Sequence, residues 1–300
     1  MSATETSSID TPSITDTDEP VKILGVIAGG GEIPQRLVQA CDEKSIPLFI
    51  VGFDGQTDPS LYGDHNHLIT RLGAAGQIIS TLKSHNIYDL VVIGSIRRPS
   101  LAELKPDWKT TQFFAKLGLK AMGDNDLLSA VRAELEKEGF RIHGVQEFVN
   151  ELLVSEGILG RCTPSRVDEA DIQRGLEVSQ QLGRLDIGQS VIVQQGLILG
   201  VEAIEGTDAL IHRCKDHIRK GKAPILVKSC KPQQDTSLDL PTLGPATIEA
   251  CAHVGIGGIA LQAEKTLVVD PQRVAEIADH YKIFISAVSL SSNDDQKSYV

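Results

Sequence analysis

Aromatic residues are scarce in this 300-residue chain, at 4% with one Trp, and there are two Met. A pocket built from this sequence is therefore lined mainly by aliphatic side chains. No run of about 18 apolar residues occurs, which excludes a spanning helix of the ordinary kind. The five cysteines (Cys41, Cys162, Cys214, Cys230 and Cys251) form no Cys-x-x-Cys pair. Their odd number and wide spacing argue against a disulfide framework or a zinc site, and a reducing cytoplasm fits. Positive charge is also short: the net charge of −11 argues against general affinity for nucleic acid. Residues 1–20 hold Glu5, Asp10, Asp16, Asp18 and Glu19 and no Lys or Arg. With neither a basic start nor an apolar centre, this segment reads as a disordered acidic tail rather than a signal peptide. Residues 290–300 read as a second flexible tail.

What is present is alternation. Lys22–Ala28 reads as a buried strand broken at Gly29-Gly30-Gly31, and Ile33, Leu37, Val38 and Cys41 then follow helical spacing. Pro47–Gly52 and Asp89–Gly94 are further strands, with a helix over Gly73–His85 between them. Short apolar strands separated by amphipathic helices predict a parallel sheet covered on both faces, with a ligand crevice at the strand C-terminal ends. Asp124 to about Lys137 reads as a helix that stops at Gly139. The turn-rich stretch near Glu156–Pro164 marks the domain boundary, giving domains at 21–156 and 157–289. The second half reads as a helix (Val167–Leu182), a hairpin (Ser190–Gln194 with Leu197–Ala203) and a helix (Thr207–Lys220). A strand (Ile225–Lys228), a helix (Pro241–Val254) and short strands at Gly258–Leu261 and Thr266–Val269 follow. A helix over Pro271–Tyr281 and a strand over Ile283–Val288 end it. The fold class is α/β: an N-terminal doubly wound, Rossmann-like domain and a C-terminal mixed α/β domain.

Three sets of residues could carry chemistry. The strand–glycine–helix turn at 29–31 suits a close-approaching anion, because glycines and a helix N-terminus expose backbone N–H groups. Pro34 occupies the place of the third glycine of a dinucleotide fingerprint, and no Gly-Lys-Ser/Thr follows for a P-loop. A nucleotide-like anion and a bare tight turn both remain open, and Asp54 is placed to take a ribose hydroxyl. Arg97 and Arg98, just past the third strand, could pair with phosphate oxygens or simply face solvent. The acids Asp124, Asp126, Glu202, Glu205, Asp208 and Asp239 could hold a divalent cation or orient water. Helix capping by Asp208 and Asp239 is the plainer alternative. His65-Asn66-His67 reads as surface loop. Lys215, Arg219, Lys220 and Lys222 form a basic cluster that suits either a solvated helix face or anionic headgroups. Gly-x-Ser-x-Gly and His-Glu-x-x-His are absent.

Taken together, certain segments resemble a known family. They are Gly25–Pro34 (GVIAGGGEIP), Gly94–Pro99 (GSIRRP), Gly123–Leu128 (GDNDLL), Gly183–Gln189 (GRLDIGQ) and Val201–Asp208 (VEAIEGTD). Lys231-Pro232 with Gln234-Asp235, and Asp239–Gly244 (DLPTLG), complete the set. In this order they resemble the UDP-2,3-diacylglucosamine pyrophosphatases of the LpxI type. The resemblance implies hydrolysis of UDP-2,3-diacylglucosamine to 2,3-diacylglucosamine 1-phosphate and UMP, in lipid A synthesis, with Mg²⁺ (or Mn²⁺) as cofactor. It implies water attack on the uridine-side phosphorus and an apolar chamber between the two domains. It makes Asp239 the catalytic residue and a metal ligand, with Asp124, Glu205 and Asp208 as further ligands. Gly29, Gly30, Gly31, Arg97, Arg98, Thr207 and Thr242 are assigned to the substrate. The implied partner is a lipid-linked nucleotide sugar met at the inner-membrane surface, and a homodimer is the default assembly. A non-hydrolytic nucleotide-sugar-binding module and an NAD-linked oxidoreductase are the competing classes, the latter disfavoured by Pro34.

Overall fold

In the computed structural model the described residues are 21–96, 104–117 and 124–290, with the side chains of 117 and 124–126 outside that description. The expected tail at 1–20, all but the first residue of the expected tail at 290–300, Arg97 and Arg98, and the carboxylates of Asp124 and Asp126 therefore lie outside the described residues.

The first half forms a five-stranded parallel sheet. Its strands are β1 (Leu24–Ala28), β2 (Leu48–Phe53), β3 (Asn66–Thr70), β4 (Asp89–Ile93) and β5 (Arg141–Ile142), in the spatial order β3-β2-β1-β4-β5. Strand periodicity divides its side chains between two helical layers. Val26, Ala28 and Ile50 pack with Leu37, Val38 and Cys41 of α1 (Ile33–Glu43). Ile27, Phe49 and Val51 pack with Ile78, Ile79 and Leu82 of α2 (Ala75–Ser84). Two further helices, α3 (Trp108–Leu117) and α4 (Asp124–Lys137), follow β4. The expected doubly wound sheet is thus observed, and the strand order reverses between β1 and β4.

The second half builds a six-stranded mixed sheet, ordered β6-β13-β11-β9-β7-β8. Here β6 is Gly157–Leu159, β7 Ser190–Gln194, β8 Leu197–Val201, β9 Ile225–Lys228, β11 Gly258–Gln262 and β13 Phe284–Val288. The central strands β9, β11 and β13 are parallel, while β6 and the β7–β8 hairpin run antiparallel to their neighbours. One face is covered by α5 (Arg166–Arg184), through Ile172 and Leu176 against Val191, Ile225 and Val227. The other is covered by α6 (Thr207–Cys214), α7 (Pro245–Val254) and α8 (Pro271–Tyr281), against Ile192, Leu226 and Ile259.

Several expectations are corrected. The helix starting at Thr207 ends at Cys214, and a 3₁₀ turn covers Lys215–His217. Arg219 and Lys222 are therefore not on a helix face: their carbonyls accept from Gln194 Nε2 at 2.9 and 2.7 Å, and Lys222 Nζ reaches Asp168 at 3.0 Å. The expected helix over Pro241–Val254 begins only at Pro245, because Thr242–Leu243 is a short strand, β10, pairing in parallel with β12 (Leu267–Val268). Asp239 is thus not a helix cap. Asn66 and His67 open β3 rather than a loop, with the His67 ring stacked on Tyr62 at 4.8 Å.

The halves meet through the segments leading into and out of this small ladder. Leu240, Leu267 and Val269 are buried in the same cluster as Leu37, Val38, Val149 and Leu152. A fully buried side chain of this size contributes roughly 1.5–3 kcal/mol. Backbone hydrogen bonds from Val154 N to Thr266 O (3.0 Å) and from Glu264 N to Val154 O (2.9 Å) seal the seam, and Arg36 pairs with Asp270 at 3.1 Å.

Candidate active site

Strand β9 reads Ile-Leu-Val-Lys and is buried along its whole length. Alternation puts Lys228 on the same face as Leu226, where helices cover the sheet, at the strand's C-terminal end. Its side chain remains only 7% exposed. Lys228 Nζ donates to the Thr242 carbonyl at 3.0 Å and to Thr207 Oγ1 at 3.3 Å. Burial pushes its pKa down, against the opposing pull of the carboxylates of Glu202, Asp239 and Asp208. One cation thus faces three acids, and desolvation is the larger influence on it.

Proton counting orders the rest of the corner. Thr207 Oγ1 donates to Glu202 Oε1 at 3.1 Å, so its remaining capacity accepts from Lys228 and from Ser190 Oγ at 3.1 Å. Glu202 is buried, and its Oε2 accepts from Gln189 N at 3.4 Å. The Gln189 Oε1 atom is buried and accepts no hydrogen bond among the described residues. Thr207 and Asp208 reach this place because Gly206, at φ 83°, turns the chain from the end of β8 into α6. Asp208 lies in the first helical turn and no side chain caps that helix, so the capping alternative fails there too.

Asp239 sits on the loop between β9 and β10, exposed, with Leu238 and Leu240 buried on either side of it. Its Oδ2 accepts from Gln234 Nε2 at 2.6 Å, and its N–H donates to the Asp235 carbonyl at 3.0 Å. The structure therefore brings Thr207 and the Thr242 carbonyl onto one lysine, which also feels the charges of Glu202, Asp239 and Asp208. Glu205 is held differently: its Oε1 receives Arg213 Nε at 3.0 Å and Nη2 at 2.8 Å. Lys228, Glu202 and Gln189 were not singled out by motif reasoning as a group. The signal for Lys228 was a lysine at a position where the alternation of a two-face-buried strand calls for an aliphatic residue.

At the N-terminal half, the glycine turn has two uses. Gly29 lets two strand ends touch: a Cβ there would lie 2.4 Å from the Ser95 carbonyl oxygen. The contact is closed by Gly30 N to Ser95 O (2.8 Å) and Ser95 N to Gly30 O (2.9 Å). Gly30 and Gly31 line an open cleft of about 630 Å³ together with Gln35, Gln56, Thr57 and Asp58. Asp54, expected at this edge, is not among the residues lining the cleft, whereas Gln56, Thr57 and Asp58 are. No helix among the described residues is long and apolar enough to cross a membrane.

Comparison with known proteins follows the same division into halves. Residues 23–152 match the LpxI N-terminal domain and residues 155–286 the LpxI C-terminal domain. A protein from Caulobacter vibrioides named UDP-2,3-diacylglucosamine pyrophosphatase LpxI is 37% identical over 272 residues, covering 88% of this chain and 97% of its own length. Among solved structures, the biotin carboxylase subunit of pyruvate carboxylase aligns at 13% identity and a TM-score of 0.23, over 58% of this chain and 35% of that one. The biotin carboxylase domain of Hydrogenobacter thermophilus 2-oxoglutarate carboxylase gives 13% identity and a TM-score of 0.23, over 59% and 35%. Likeness at that level carries no argument about this chain.

Proposed function

Because the chain belongs to the LpxI family, we propose that it hydrolyses UDP-2,3-diacylglucosamine to UMP and 2,3-diacylglucosamine 1-phosphate, in lipid A synthesis. The observation that supports this reading, beside membership, is buried Lys228, held by Thr207 and the Thr242 carbonyl beside the domain seam and subject to the charges of Asp239 and Asp208.

A pyrophosphate diester carries two negative charges that repel an attacking water. Lys228 offers a fixed cation in a partly desolvated corner, where its field is strongest. Asp239 orients the water and accepts its proton. The water oxygen bonds to the uridine-side phosphorus, the bond from that phosphorus to the bridging oxygen breaks, and the bridging oxygen leaves with the acylated sugar phosphate. Gln234 holds one carboxylate oxygen of Asp239 in place. Gly30 and Gly31, with Arg97 and Arg98, bind the substrate's phosphate-bearing portion.

The donor set suits Mg²⁺ or Mn²⁺. Asp208 and Asp239 are exposed hard-oxygen donors whose charges both act on Lys228. Among the described residues no three Asp, Glu, His or Cys side chains form a closed metal cage. Magnesium is commonly held by one or two carboxylates with substrate phosphates and water completing its shell, which such a pair can serve. A divalent cation held by Asp208 and Asp239 would supply neutralisation of the pyrophosphate charge. Asp124 is a further candidate ligand in this proposal.

The test is to incubate the full-length protein with UDP-2,3-diacylglucosamine and Mg²⁺ and assay UMP, with and without excess chelator. Release of UMP that stops on chelation supports the reading. Thermal stabilisation by the nucleotide sugar without any product would instead identify a binding module.

A further inference from the structure

The loop carrying Asp239 is hydrogen-bonded to the other half of the molecule through Arg132. Arg132 lies on α4, in the N-terminal half, and its Nη1 donates to both carboxylate oxygens of Asp235, at 2.8 and 2.7 Å. It also contacts Ser237 Oγ. The guanidinium is held on its own helix by Glu136, whose Oε1 accepts from Arg132 Nε at 2.7 Å. Asp235 in turn organises the loop. Its Oδ1 accepts from Ser237 N at 3.0 Å and from Ser237 Oγ at 2.5 Å. Its carbonyl accepts from both Leu238 N and Asp239 N at 3.0 Å. The neighbouring Gln234 orients the Asp239 carboxylate directly, and is itself fixed by Lys231 N on its Oε1 at 3.0 Å. A continuous set of contacts therefore runs from α4 to the carboxylate of Asp239.

We propose that Arg132 is a positioning residue: by clamping Asp235 it sets the Asp239 loop in its working geometry, so that hydrolysis depends on the two halves being docked. This rests on the hydrolytic reading above, but its structural part can be tested apart from it. The clamp also gives Asp235 a role other than metal ligand, since both its oxygens are engaged by Arg132 and one of them by Ser237 as well. Both partners are partly shielded, with side chains 31% and 23% exposed, which places the pair between a solvated surface bridge and a buried one.

The experiment uses full-length R132A, R132K and D235A, and the R132A/D235A double variant. Misplacement of a catalytic group by about 1 Å can cost on the order of 100-fold. R132A is expected to lower kcat by about 10- to 100-fold with KM for UDP-2,3-diacylglucosamine nearly unchanged. R132K, which keeps the charge without the fork, is expected to recover part of the loss, and the double variant to be no worse than either single one. A purely structural role would instead lower the active fraction and leave kcat per active site unchanged. Amide hydrogen exchange supplies a second readout without substrate. In R132A the peptide spanning 233–241 should exchange faster while β1 and β9 keep their protection. Wild-type kcat together with unchanged exchange in that peptide would overturn the proposal. If wild-type protein releases no UMP, the hydrolytic reading fails, and the exchange result alone then decides whether the clamp orders the loop.

Discussion

Lys228 Nζ and the Thr242 carbonyl lie 3.0 Å apart, joining the end of a central strand to the short ladder at the domain seam. This contact makes a buried cation part of the same corner as the catalytic candidate. K228M keeps most of the side-chain volume and removes the charge. Removing one member of a buried charge cluster leaves Glu202 buried without its cation, which typically costs about 3–5 kcal/mol. The melting temperature of K228M should therefore fall, while UMP release per folded molecule, assayed well below that temperature, drops by about 100-fold or more. Unchanged turnover would remove Lys228 from the mechanism.

Glu205 provides the contrasting case. Its carboxylate is engaged by Arg213 on the surface, and a hydrogen bond from its own backbone N–H, followed by those from Arg213, holds its pKa below the usual value. E205Q should keep turnover within about threefold of wild type, since exposed pairs of this kind contribute little. A loss comparable to that of an Asp239 variant would support Glu205 as a metal ligand.

A third prediction concerns pH. His143 lies between two carboxylates, Asp89 on Nε2 and Glu147 on Nδ1, each at 2.9 Å, with Arg141 on the far side of Asp89 at 2.7 Å and the Phe148 ring edge-on to its imidazole. Burial would push its pKa down, but the hydrogen bonds and charges of Asp89 and Glu147 outweigh that and raise it. With the folded value above the unfolded one, the stabilisation is complete below the ordinary imidazole value of about 6.5. It fades as pH rises from there through the raised folded value. Denaturation midpoints of wild type and H143Q should accordingly converge as pH is raised from about 6 to 9. A gap that widens over that range would contradict the assignment.

Gly29 gives a steric prediction. An added methyl group would meet the Ser95 carbonyl oxygen at 2.4 Å and the Gly94 carbonyl carbon at 2.9 Å, both backbone atoms that cannot swing away. G29A should destabilise the protein by roughly 1–3 kcal/mol, measured by denaturant titration. Equal stability would show that the two strand ends can separate freely.

The doubly wound sheet was legible because Leu24–Ala28, Leu48–Phe53 and Asp89–Ile93 are apolar runs bounded by glycine or polar turns. That pattern depends on local burial alone. Strand β3 was not legible, since its edge position leaves Asn66, His67 and Ile69 exposed and no apolar run is needed. The start of the Pro245 helix was misplaced because Pro241 also suits a first turn; pairing of Thr242–Leu243 with Leu267–Val268, far along the chain, decides against it. Asp239, Asp208, Thr207 and Thr242 were visible as motif residues. Lys228 and Arg132 were not, because each acts through partners distant in sequence, and single-chain periodicity reads them as a strand end and a solvated helix position.

The central claim is that Asp239 activates the water that cleaves the pyrophosphate. Its most direct test is the rate of UMP release from UDP-2,3-diacylglucosamine and Mg²⁺ by D239N, with binding of the same substrate measured in parallel. The account predicts a loss of about 1,000-fold or more in kcat with binding retained. Turnover at the wild-type rate by a folded D239N protein would contradict it.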